Sequence, residues 1–463
     1  MQYVSTRGTA PKLRFCDAVM AGLASDGGLY LPESWPEMTA KEISALANRP
    51  YRDVAFEIIS RFVDGEISDP DLNAMISDAY RPFRHSSVAP VVELEPGHFL
   101  LELFHGPTLA FKDIAMQLLA RIIDHILAKR GGRATIVGAT SGDTGSAAIE
   151  AFRGRANTDI FILHPHNRVS EVQRRQMTTV ADQNVYNIAI KGSFDDCQNI
   201  TKAMFNNSAF RNEVQLSGVN SINWGRIVAQ IVYYFTAATA LGAPQRKISF
   251  CVPTGNFGDI FAGYAAKRMG LPIERLIIAT NSNDILNRAL KTGTYEMGKV
   301  TKTTSPSMDI QISSNFERLL FEASGRDPDM VLSMMNSLQQ SGGFELDAVT
   351  RRNILREFSA GAASEQETSA AIASVYKANQ YLLDPHSAVG VHVARRQKTI
   401  FNPMVTLATA HPAKFPEAVK AASNIEPQLP DWLADLYELP ERMDILGNDQ
   451  QAVEEFIRAR IRA

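Results

Sequence analysis

A recurring alternation constrains this chain more than any other feature. From Val91 onward, short apolar runs that end in turns are followed by stretches of helical period. Residues 134–139, 159–163, 185–190, 247–252, 275–279 and 404–408 have the strand character, and 146–152 and 195–205 read as helices following such strands. Short buried strands alternating with helices predict an α/β fold, with parallel sheets covered on both faces. In such sheets ligands bind beyond the carboxyl ends of the strands.

The 463 residues are long for one domain, and two or three packed lobes are expected. Residues 1–90 read differently from the rest: after a strand-like Tyr3-Val4-Ser5 come helical patterns at 53–64 and 71–80. We expect a mainly helical N-terminal domain at 1–90, an α/β core of two lobes at 91–430, and a helical tail at 431–463. Between 283 and 384 the strand signal fades, which predicts a helical insertion. Its methionine stripe, Met330, Met334 and Met335, reads as core packing.

Composition excludes several classes. A net charge of -3 without a basic run argues against nucleic acid as a partner. Cys16, Cys197 and Cys251 form no C-x-x-C pair, so neither a disulfide framework nor a zinc knuckle is suggested. The opening residues lack the apolar run of a signal peptide, and a cytoplasmic location is expected. The longest apolar run, 227–243, is interrupted by Gln230, Tyr233, Tyr234 and Thr236. It predicts a buried helix and no membrane span.

The stretch 105–132, HGPTLAFKDIAMQLLARIIDHILAKRGG, places Lys112 where a long amphipathic helix begins. Asp113 suits a first turn, where a carboxylate gains roughly 0.3–1 kcal/mol from the helix dipole. A cation there is slightly unfavourable, so Lys112 reads either as a solvated surface lysine or as an amine held to condense with a carbonyl.

Two Gly-rich turns follow strands, Thr140-Ser141-Gly142-Asp143-Thr144-Gly145 and Pro253-Thr254-Gly255-Asn256-Phe257-Gly258-Asp259. Each opens a helix, where backbone N–H groups converge on an anion. Neither matches a dinucleotide fingerprint or a nucleotide P-loop. A nucleophilic amine, one cup suited to a carboxylate and another suited to a phosphate together match the needs of pyridoxal phosphate. That cofactor requires a lysine for its aldehyde and a donor-rich seat for its phosphate.

Over nearly its whole length the chain resembles threonine synthase, a fold-type-II pyridoxal-phosphate enzyme. The resemblance rests on YVSTRG at 3–8, DGGLYLPE at 26–33, HGPTLAFKD around Lys112, TSGDTG at 140–145 and NSINWGRI at 220–227. PTGNFGD at 253–259, SPSMDIQISSNFER at 305–318 and ATAHPAKFP at 408–416 complete the series in order. It implies a tryptophan synthase β-like fold, with Lys112 as the Schiff-base lysine, residues Gly255, Asn256, Phe257 and Gly258 at the cofactor phosphate, and Thr409 at the pyridine nitrogen. It also implies conversion of O-phospho-L-homoserine and water to L-threonine and phosphate; a monomer or a homodimer is expected. Other members of the fold type carry Asn where this chain has Asp143, so the contact to the cofactor's 3′ oxygen stays unassigned.

For the substrate we expect Thr140, Ser141, Gly142, Asp143 and Thr144 in the first cup, with Asn223 and Arg226 beside them. Arg226 sits between the polar run at 220–223 and the apolar helix, at a core boundary. It reads equally as a phosphate ligand or as a helix-start arginine in a structural ion pair. Asp309 either lines the site or caps a helix. His105, His164, His166 and His411 read as turn or hydrogen-bonding residues, and no metal is expected. Two alternatives are a serine/threonine dehydratase-like lyase and, in a different class, a non-catalytic nucleotide-binding module.

Overall fold

Parallel pairing runs through both of the larger sheets, as the strand–helix alternation requires. The computed structural model describes residues 1–397 and 403–462, and the chain divides into two units. The first comprises Met1–Ser77, Phe83–His105 and Ser221–Pro427; the second comprises Asp78–Pro82, Gly106–Asn220 and Gln428–Ala463. Residue 463, the last of the expected tail, lies outside the described residues.

In the first unit a six-stranded sheet has the order Phe358–Ala362, Ile273–Thr280, Ile248–Pro253, Met404–Ala408, His98–Glu102, Val91–Glu95. All neighbours are parallel except the last pair, a hairpin turning at Gly97. Thr406 pairs with Cys251, so Ile248–Pro253 and Met404–Ala408 end at the same carboxyl edge, and the turns after them leave it side by side.

Behind this sheet the helix Trp224–Ala240 is buried along almost its whole length, as its apolar run predicts. It packs against the helices Tyr51–Val63 and Gly258–Arg268. Trp224 anchors the N-terminal residues: its ring lies 5.9 Å from that of Tyr3 and 5.8 Å from that of Phe62. Buried aromatic pairs of this kind add about 0.5–1.5 kcal/mol each beyond area burial. Tyr3–Ser5 pairs antiparallel with Tyr30–Pro32.

The second unit holds a five-stranded, all-parallel sheet in the order Asp444–Leu446, Val185–Ile190, Thr158–Pro165, Ala134–Ala139, Leu216–Ser217. One face is closed by Phe194–Asn206 and Gln450–Arg458, whose Cys197, Ile200, Met204, Val453 and Ile457 pack on Phe161, Leu163 and Ile188. Among the described residues no helix is long and apolar enough to cross a membrane.

The structure departs from the sequence reading in three places. The stretch expected to be helical contains the edge strand Phe358–Ala362 and a small ribbon of Thr294–Glu296 with Gly343–Glu345. The C-terminal tail contributes Asp444–Leu446 as a strand before its helix. These segments are short, and FSAGA is rich in small residues, so no period of two stands out. The small residues serve packing: a Cβ on Gly361 would lie 2.7 Å from Val393 of the neighbouring helix Pro385–Arg395.

Candidate active site

Lys112 is the first residue of the helix Lys112–Arg130, in the second unit. The loop before it is strapped to that helix by Asp113, whose carboxylate accepts the Thr108 N–H at 2.8 Å and the Thr108 hydroxyl at 2.5 Å. Gly106 allows this closure, because a Cβ there would lie 2.5 Å from Asp113 Oδ2. Lys112 is 8 % exposed, so the solvated surface reading fails. Its Nζ lies 3.3 Å from Asp143 Oδ2 and 4.7 Å from the centre of the Phe111 ring.

Asp143 opens the helix Asp143–Phe152, which follows the strand Ala134–Ala139. In the turn between them, Thr140 Oγ1 accepts the N–H groups of Gly142 and Gly145, both at 2.9 Å. Thr140 and Gly142, both expected at the substrate, use these groups to build the turn. Two amides that would have faced an anion are thereby already engaged. Ser141 and Thr144 remain partly exposed, with hydroxyls that bond to no described residue.

The second turn belongs to the first unit and runs from Pro253 into the helix Gly258–Arg268. The Gly255 carbonyl accepts the Ser313 hydroxyl at 2.6 Å, and the Asn256 carbonyl accepts Asn315 N–H and Nδ2 at 3.0 and 2.9 Å. With the carbonyls drawn away, the N–H groups of Gly255, Asn256, Phe257 and Gly258 donate to no described residue. Phe257 adopts a left-handed φ of 63° while its ring packs 5.4 Å from Phe316, so it offers only its backbone. The Asn256 side chain is exposed. A Cβ on Gly255 would lie 2.6 Å from the Ser307 carbonyl oxygen. Four free amides at a helix N-terminus form a cup for a dianion.

Thr409 follows Met404–Ala408 at the same carboxyl edge and is 5 % exposed. Its N–H donates to Ser387 Oγ at 3.1 Å, and Ser387 donates in turn to Asp384. Asp384 also bonds His386 Nδ1 at 2.8 Å, and His386 Nε2 accepts the Ser307 N–H at 3.2 Å. A backbone donor on Nε2 places the ring proton on Nδ1.

Family models match along the chain: "Threonine synthase N terminus" at residues 2–80, "Pyridoxal-phosphate dependent enzyme" at 88–410, and "Threonine synthase, C-terminal" at 387–457. A threonine synthase from Pseudomonas aeruginosa is 53 % identical, over 99 % of this chain and 98 % of that one. The chain belongs to the threonine synthase family. The crystal structure of a threonine synthase from Brucella melitensis, described as PLP bound, superposes with a TM-score of 0.99 at 61 % identity over 100 % of both chains. The yeast threonine synthase superposes at 0.94 with 40 % identity, over 99 % of this chain and 98 % of that one. The α/β fold-type-II architecture implied by the resemblance is the one observed.

The residues present fit the cofactor of this threonine synthase family member. The cup of Gly255, Asn256, Phe257 and Gly258 suits a phosphate, and the buried amine of Lys112 suits an aldehyde. Thr409 carries a neutral hydroxyl, of the kind that could meet a ring nitrogen without protonating it.

Asn223 is the N-cap of Trp224–Ala240: its Oδ1 accepts the Gly225 N–H at 2.9 Å and its Nδ2 donates to the Val19 carbonyl at 2.8 Å. Its side chain shapes the backbone at this helix start. Arg226 lies deeper than the boundary its sequence position suggested, at 4 % exposure. Burial lowers its guanidinium to about 10, opposed by the nearby Tyr233.

Asp309 is the C-cap residue of the 3₁₀ turn Pro306–Met308. Its Oδ1 accepts from Asn281, Asn283 and Thr303 at 2.8, 3.0 and 2.6 Å, which ties down the loop leading to Ser307. Sequence reasoning missed two residues. Asp384 and Gln173 carry no motif, and only a hydrogen-bonding map could have found them.

Proposed function

We propose that the chain converts O-phospho-L-homoserine and water to L-threonine and phosphate, the last step of threonine biosynthesis. The observation that carries this reading is the match at both ends, since N- and C-terminal threonine synthase segments flank the general pyridoxal-phosphate segment. Pyridoxal phosphate, when bound, withdraws electrons from the substrate's Cα and so acidifies the neighbouring C–H bonds.

Lys112 is the residue to which we assign the cofactor aldehyde, and its amine would serve as the base at Cα and then at Cβ. Its burial beside Asp143 keeps that amine out of bulk water and oriented. The amides of Gly255, Asn256, Phe257 and Gly258 take the cofactor phosphate, where hydrogen bonds to a charged partner contribute about 1.5–3 kcal/mol each. Thr409 would face the ring nitrogen. Being neutral, it withholds the full proton that a carboxylate would enforce, which favours elimination over other fates of the substrate.

Ser141 and Thr144, with the Asp143 turn, are assigned to the substrate's carboxylate. Arg226 is assigned to the substrate's phosphate, because a dianion held away from water needs a cation with several donors.

The test measures phosphate release from O-phosphohomoserine against ammonia release from serine by the purified holoenzyme. Phosphate and threonine are expected in equal amounts, with little ammonia. Ammonia from serine as the dominant product would replace this reading with the dehydratase.

A further inference from the structure

Gln173 is 4 % exposed, in the first turn of the helix Glu171–Thr178. Its Nε2 donates to Asp143 Oδ1 at 2.8 Å, and its Oε1 accepts the Ser170 hydroxyl at 2.9 Å. The Ser170 contact decides which end of the amide meets the carboxylate, since a hydroxyl donor on Oε1 leaves the NH₂ for Asp143.

A second observation concerns Gly142, the residue before Asp143. Its φ is 141°, and a Cβ there would lie 2.4 Å from Gln173 Cδ and Oε1. The glycine of this turn thus opens the space that the Gln173 amide occupies. Asp143 is left with Oδ1 pinned by Gln173 and Oδ2 turned to Lys112 Nζ at 3.3 Å. All four side chains, Ser170, Gln173, Asp143 and Lys112, belong to the second unit.

We propose that Gln173 is a positioning residue, holding the Asp143 carboxylate so that its second oxygen faces the Lys112 amine. A carboxylate fixed at one oxygen cannot rotate to follow the lysine when that amine is displaced, so the amine keeps a fixed partner to return to. This rests on the reading that Lys112 carries the cofactor.

The test compares holoenzymes of the wild type, Gln173→Leu, Asp143→Asn and the double variant. The readouts are the absorbance maximum of the lysine-linked cofactor, the cofactor dissociation constant, and kcat and KM separately. Gln173→Leu should move the absorbance maximum and lower kcat by about tenfold, with KM changed by less than about twofold. In the Asp143→Asn background the same substitution should change neither further, as coupling through one shared partner requires. Ser170→Ala, which frees the Gln173 amide without touching Asp143 or Lys112, should act in the same direction more weakly, and it carries the test if Gln173→Leu does not fold.

An unchanged spectrum and kcat in Gln173→Leu and Ser170→Ala would overturn the proposal, as would equal losses with and without Asp143. Lys112→Ala keeping the lysine-linked band would instead overturn the reading beneath it.

Discussion

Thr6 and Glu317 are 311 positions apart, yet the Thr6 hydroxyl donates to Glu317 Oε1 at 2.6 Å. Arg7 completes the contact with a bidentate pair on the same carboxylate, at 3.1 and 3.0 Å. The neighbouring Arg318 donates to the carbonyls of Tyr30 and Ile222 at 2.7 and 2.6 Å. Two residues earlier than Glu317, Asn315 holds the Asn256 carbonyl. The YVSTRG, DGGLYLPE and SSNFER motifs are therefore one piece of construction, and its far end supports the Gly-rich turn at Asn256.

Lys112→Ala should abolish the absorbance band of the lysine-linked cofactor and reduce threonine formation to background. Far-UV circular dichroism should stay native, because a truncated side chain at a helix start leaves the apolar face of Lys112–Arg130 intact. Threonine production at the native rate would refute the assignment.

Gly255→Ala should weaken cofactor binding by about tenfold or more, since the added Cβ meets the Ser307 carbonyl at 2.6 Å and displaces amides that bind a charged partner. Titration of the apoenzyme with pyridoxal phosphate measures this. An unchanged dissociation constant would remove the phosphate from this turn.

Arg226→Gln should keep the cofactor band and lower kcat/KM for O-phosphohomoserine by roughly 2–5 kcal/mol, the usual cost of leaving a buried charge unpaired. Turnover of an unphosphorylated analogue should barely change. Equal losses on both substrates would show that Arg226 supports the fold.

Asn223→Ala should cost about 1 kcal/mol of stability, as loss of an N-cap does, and more if the Val19 carbonyl is left without its donor. KM for the substrate should hold. A raised KM at unchanged stability would return Asn223 to the substrate site.

His164, 1 % exposed, is lowered by burial from 6.5 to about 4, with His166 and Arg174 adding to the effect while the Pro165 backbone and Glu441 oppose it. Between those values the unfolded chain binds a proton that the folded chain does not, so stability is lost as pH falls through that window. His411 is lowered likewise, to about 4, chiefly by burial. His164→Gln should therefore flatten the fall in stability between pH 7 and pH 5 by roughly 2 kcal/mol. Urea unfolding at both pH values reads the difference, and parallel pH profiles for variant and wild type would contradict it.

Local patterns in the chain determined a great deal. The strands at 134–139, 185–190 and 404–408 and the helix beginning at Lys112 follow from short-range periodicity, because alternation and the 3.6-residue repeat record which face each residue buries. The ordered motifs pointed to the family, and the two Gly-rich turns to sites where amides converge.

Tertiary structure alone decided how individual polar groups are used. Asn223 and Thr140 look like ligands in sequence, but packing commits them to a cap and a turn. Gln173 looks like nothing in sequence, but it reaches Asp143 from 30 residues away. Periodicity reports burial, whereas a hydrogen bond depends on which distant element brings a partner within about 3 Å. Sheet order and helix packing set that distance, and a single polar residue leaves no local trace of it.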